Sequence, residues 1–174
     1  MMMVGATLLS VWLAVLCYTD CRHRVLPNVL TFGGALVALA VRYGAGGWAA
    51  GNAGLAGGIV CGLFLILPFI LHSAGGGDVK MLFAVGCIMG LGKAAEVILF
   101  TSLAGLLLMF VMLVVGLADG CRLKHYMRCL LDWRYDRAAG KAALPPKDSE
   151  SVRVPFGVAI AVGTWATMIW RASW

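Results

Sequence analysis

The sequence predicts an all-α integral membrane protein of about six transmembrane helices. Three observations carry that expectation. The mean hydropathy is +0.92. Only 13% of the 174 residues are charged, against about 25% in a soluble domain. The charges also gather between apolar runs, most of them near the roughly 17–25 residues needed to cross the hydrocarbon.

Met1–Tyr18 is the first expected span. The first 19 residues carry no charge, so no basic stretch precedes the apolar run as a cleavable signal peptide requires, and the segment is expected to be retained. Val25–Val41 is the second, its regular helix expected to begin near Pro27-Asn28 because proline's missing N–H costs nothing in a first turn. A turn at Gly44, Gly46 and Gly47 leads to the third, Ala49–Leu71. Val79–Leu91 is a short, tucked or tilted fourth. Val97–Ala118 is the fifth, and Val154–Trp170 the sixth, with Pro155 in its first turn. Residues 1–174 thus read as one membrane-embedded domain without an internal repeat. Its sizeable polar stretch is a connector over 119–153. There Leu123, Met127, Leu130 and Leu131 recur at helical spacing among basic residues, as in an amphipathic helix lying on acidic lipid. Ala138–Ser151, with Pro145-Pro146, reads as a linker. A substrate-docking or gating role for the connector is the sharper alternative.

The basic residues orient these spans. Eleven lie in the connections after spans one, three and five: Arg22, Arg24, Lys80, Arg122, Lys124, Arg128, Arg134, Arg137, Lys141, Lys147 and Arg153. The other side holds three, Arg42, Lys93 and Arg171. The richer side is expected in the cytoplasm, which sends both termini outward. The same placement assigns the net charge of +6 to orientation and acidic lipid rather than to nucleic acid. The six cysteines, at 17, 21, 61, 87, 121 and 129, form no CxxC pair and no Cys/His array, so no metal or other cofactor is expected. They read as small apolar filler.

Asp20, just past the first span, and Asp78, just before the fourth, are the residues with chemical promise. The spans are almost bare of acids, with only Glu96 beside Lys93 on the outer side. Ionisable groups near a bilayer are expensive and point to function. Taken singly, each has a bland reading. Asp78 suits an N-cap of the fourth helix, and Asp20 suits an interfacial charge paired with Arg22 or Arg24. Together they fall on one face of the membrane, where two carboxylates in reach of each other can share a proton and activate water. Gly75-Gly76-Gly77 beside Asp78 reads as irregular backbone lining a wet cavity, open to an extended peptide, or as a plain flexible turn.

These residues resemble the type IV prepilin peptidase family, the intramembrane GxGD aspartic proteases. Gly75-x-Gly77-Asp78-Val79-Lys80 resembles its second-aspartate motif. Asp20-Cys21-Arg22-His23-Arg24-Val25-Leu26-Pro27-Asn28 resembles the first, and Val154-Pro155-Phe156-Gly157 resembles the Pro-aromatic-Gly entry to the last helix. The three occur in the family's order and span residues 20 to about 160. The resemblance implies catalytic aspartates at Asp20 and Asp78, with Gly75, Gly77, Lys80, Pro27, Asn28 and Pro155 as support or substrate contacts. It implies a pilin-precursor substrate with a short basic leader ending in Gly, and a bacterial inner-membrane location with the site at the cytoplasmic face. The longer family members carry a cysteine-rich insert before the first aspartate and also methylate the new N-terminus. Here Asp20 follows the first helix directly, so the chain resembles the short, protease-only form of tight-adherence (Flp) pilus systems, and no methyltransferase activity is expected. Two rivals remain at this level. A small transporter would place its acids near the midplane, often between repeats. A non-catalytic pilus or secretion scaffold would tolerate loss of both acids.

Overall fold

The computed structural model describes residues 2–23, 27–70, 74–115 and 156–172. The amphipathic stretch 119–153, Arg24 and Pro155 lie outside the described residues. Among these residues all regular structure is α-helical, as expected. The elements are α1 (Met2–His23), α2 (Asn28–Ile70), α3 (Gly76–Met89), α4 (Leu91–Val114) and α5 (Phe156–Ala172). The chain divides into two units, Met1–Leu106 with Pro155–Trp174, and Leu107–Val154. Of the second, only the end of α4 is described.

The expected second and third helices form one element, α2, broken at Gly47 (φ 70, ψ −173). That backbone geometry lies on the left-handed side, where a residue without a Cβ is at ease. The chain reverses there. Arg42 Nη1 donates to the Ala50 carbonyl at 3.1 Å, and the Tyr43 hydroxyl bonds Asn52 Oδ1 at 2.9 Å. A straight helix would separate such residues by about 12 Å along its axis. The expected turn was centred correctly, but Gly44 and Gly46 stay helical.

Both arms of α2 pack on α3. On the second arm the contact runs through glycines. A Cβ on Gly57 would lie 2.6 Å from the Gly90 carbonyl carbon, and one on Gly86 would strike the Gly57 carbonyl oxygen. Small residues that let backbones meet are a common device for joining helices in lipid, where apolar burial between helices gains nothing. At the far end of α3, Arg42 Nη2 and Nε donate to the Ile88 carbonyl at 3.1 and 3.4 Å. A cation there offsets the negative end of the helix dipole. α3 has 14 residues, about 21 Å at 1.5 Å per residue, so it is the short helix expected.

Leu13, Leu16, Leu65, Met81, Leu82, Val85, Val97 and Ile160 form the buried core. The outer surface is just as apolar: Leu99, Leu103, Leu106 and Phe110 along α4 are each at least 61% exposed. Soluble monomers rarely expose patches of that size, whereas lipid solvates them. α2 and α4 are each long and apolar enough to cross a membrane.

Candidate active site

Three helix ends meet at one end of the first unit. α1 brings Asp20 on its last turns, α3 brings Asp78 on its first turn, and α5 brings Gly157 at its second residue. Asp20 and Asp78 are each 8% exposed, although both lie outside the apolar stretches Met1–Tyr18 and Val79–Leu91.

Asp78 is not the N-cap of α3. Gly75 is, in extended backbone (φ −79, ψ 148), and Asp78 stands three residues on. Its Oδ2 accepts the Gly75 N–H at 3.0 Å, while its own N–H donates to the Gly75 carbonyl at 3.1 Å. The first contact is the return half of a capping box: an acid at the third position satisfies an orphan donor at the helix start. The expectation of irregular backbone through all three glycines is corrected accordingly, because Gly76 and Gly77 are already helical.

Asp20 Oδ2 accepts the Gly157 N–H at 3.0 Å. Of the two partners the bland reading offers it, Arg22 turns its Nη1 to the Tyr18 hydroxyl at 2.7 Å, and Arg24 lies outside the described residues. Burial pushes both carboxyls above the ordinary aspartate range. For Asp20 the Gly157 N–H works against the rise. For Asp78 burial is again the largest cause; the Gly75 N–H opposes it, the charge on Asp20 adds to it, and the result is about 6.

Lys80 and Asn28 meet one another. Lys80 Nζ donates to Asn28 Oδ1 at 2.9 Å and stands 5.4 Å above the Phe32 ring. This ties the start of α2 to the first turns of α3. The Pro27 carbonyl accepts from the N–H groups of Leu30 and Thr31 at 3.1 and 3.2 Å, closing the first turn of α2. A cleft of about 270 Å³ opens between Phe64, Leu65, Pro68, Ala74, Leu106 and Phe156. Ala74 and Phe156 are the chain neighbours of Gly75 and Gly157, the two glycines that hold the carboxylates.

A model of the type IV leader peptidase family matches residues 7–117. The chain belongs to that family. The matched segment contains Asp20 and Asp78 with their surrounding motifs and makes the chain a leader peptidase at family level. It stops short of α5. No curated protein and no solved structure matches the chain.

Gly157 stands in the Pro-aromatic-Gly motif, but nothing in the sequence marks the bond it makes to Asp20. Cys17, read as filler, donates its S–H to the Gly157 carbonyl at 3.7 Å. Nothing in the residue pattern pairs positions 140 apart; that contact requires the fold.

Proposed function

We propose that this leader peptidase is a membrane aspartic endopeptidase that uses Asp20 and Asp78 as a proton-sharing pair. It removes the short basic leader of Flp-type prepilins after a Gly, at the cytoplasmic face of the bacterial inner membrane. The observation that supports this most is two buried carboxylates from different helices, each held by a glycine N–H at a helix start, Asp78 by Gly75 and Asp20 by Gly157. A lone structural carboxylate at a helix start would not need the second.

In the reacting form Asp78, which burial pushes up to about 6, holds the proton and Asp20 is ionised. Asp20 takes a proton from water as its oxygen bonds to the scissile carbonyl carbon, and Asp78 donates its proton to the carbonyl oxygen. The resulting diol collapses: the C–N bond breaks, the amine leaves with the proton held by Asp20, and a diol hydroxyl returns a proton to Asp78. The pair is then restored. The apolar cleft lined by Ala74 and Phe156, chain neighbours of the two glycines bonded to the pair, suits the start of the apolar helix that follows a pilin leader. In the proposed topology of six crossings with both termini outside, which the distribution of basic residues supports, the pair lies where such a leader lies. The chain carries no methyltransferase function.

The test is cleavage of an Flp-type precursor in water enriched in 18O, with both fragments weighed by mass spectrometry. The expected result is a cut after the leader Gly, with one heavy oxygen in the new leader carboxylate. A cut elsewhere, or a leader without the heavy oxygen, sinks the proposal.

A further inference from the structure

We infer that the N-terminus of α5 is the clamp that aims Asp20, and that Gly157 is its positioning residue. This inference rests on the proposed pair and adds to it a helix outside the family match, which ends at residue 117.

The Gly157 peptide is held by α1 on both sides: its N–H by Asp20 Oδ2 at 3.0 Å, and its carbonyl by the Cys17 thiol at 3.7 Å. As the second residue of α5, its N–H has no acceptor within the helix. The carboxylate supplies one, and the positive end of the helix favours its charge. The approach leaves no room for a side chain, because a Cβ on residue 157 would stand 2.6 Å from Asp20 Oδ2 and 3.1 Å from its Cγ. Two further close contacts fix where α5 starts. The Phe156 ring sits against Gly105 of α4, whose added Cβ would lie 2.8 Å from Phe156 Cε2. Lower on the helix, a Cβ on Gly163 would lie 2.5 Å from the Thr101 backbone nitrogen. Helix α5 is thus set in register by two glycine contacts with α4 and presents one N–H to one carboxylate oxygen. With Oδ2 tied, Oδ1 of Asp20 is the oxygen that meets water.

The experiment compares wild type, Gly157→Ala, Gly105→Ala and the pair Gly105→Ala with Phe156→Leu, all as full chains in liposomes. Precursor cleavage is followed across pH, and the Asp20 carboxyl titration by 13C NMR. Among the described residues the titratable groups near that carboxyl are Asp78 from α3 and Cys17 on its own helix. Gly157→Ala is expected to lower kcat by about 100-fold, the order of loss for a misplacement near 1 Å, with KM little changed. Its Asp20 titration and the acid limb of its rate profile should both move to higher pH, since the N–H bond favours the charged form. Gly105→Ala should show a smaller loss of the same kind. Phe156→Leu, which lacks the ring atoms in the clash, should return the Asp20 titration toward its wild-type position; because Phe156 also lines the cleft, the titration and not the rate is the readout of this pair. A folded Gly157→Ala with wild-type kcat and an unmoved Asp20 titration overturns the clamp. Should Gly157→Ala not fold, a Gly105→Ala enzyme with wild-type rate and titration overturns it instead. If the titration moves as expected while Asp20→Asn still cleaves, the clamp stands and the proposed catalytic pair falls.

Discussion

Asp78 takes its hydrogen bond from Gly75, 3 residues away at the start of the same helix, whereas Asp20 takes its bond from Gly157, 137 residues away. The first arrangement is local. Once α3 forms, its third residue faces back to its N-cap, so the chain order alone places the carboxylate. The second arrangement depends on the whole unit being assembled, with α5 seated on α4 and α1. One aspartate is therefore positioned by a turn and the other by a fold. Damage to packing far from the site should reach Asp20 before Asp78.

The largest expected effect treats the two alike. Asp20→Asn and Asp78→Asn should each lower precursor cleavage by about 10³-fold or more, in the range of lost general acid–base catalysis, while both stay folded. Rates and circular dichroism of the purified variants check this. A variant that keeps wild-type cleavage removes its aspartate from the chemistry.

The anchors should then separate. A Cβ on Gly75 would lie 3.1 Å from Asp78 Oδ2, and the backbone there (φ −79) suits any residue. Gly75→Ala should therefore cost less than about tenfold in kcat, against the roughly 100-fold expected at Gly157. Equal losses at the two glycines would erase the distinction between turn and fold.

Stability should carry the mark of Asp78. Its folded value of about 6 exceeds the ordinary 3.8. Between those values the folded state binds a proton that the unfolded state has released, so stability falls as pH rises and levels off above about 6. Asp78→Asn keeps an oxygen for the Gly75 N–H and carries no charge. It should flatten this dependence and be more stable than wild type at pH 7, by up to about 3 kcal/mol. Thermal unfolding in detergent at pH 4 and pH 7 measures it, and a parallel pH dependence in the variant would contradict the assignment.

The smallest effect lies at the tie between α2 and α3. Asn28→Ala or Lys80→Met removes one hydrogen bond, worth about 1 kcal/mol, and should cost less than about fivefold in cleavage. A loss of the size seen at the aspartates would instead make Lys80 a substrate or proton-handling group.

The legible part of this molecule was the part written locally. The hydropathy runs disclosed the helices, the glycines near Gly47 marked the reversal, and Asp20 and Asp78 stood out as acids in an apolar chain. Taken singly Asp78 suits an N-cap, yet it stands three residues on, because Gly75 supplies the extended backbone that starts α3 and leaves the acid to reach back. Arg22 was a reasonable partner for Asp20 by proximity, yet a helix places Tyr18 on the same face, four residues away. Gly157, Gly105 and Cys17 were not legible. Their roles are contacts between helices, and glycine in an apolar run carries no sign of which backbone approaches it.

Whether Asp20 and Asp78 act as one proton-sharing pair is tested most directly by the titration of the Asp78 carboxyl by 13C NMR in wild type and in Asp20→Asn. Wild type should titrate at about 6, and the variant, without the neighbouring charge, at a lower pH. An Asp78 titration that is the same in both proteins would show that the two carboxylates do not feel each other and would contradict the pair.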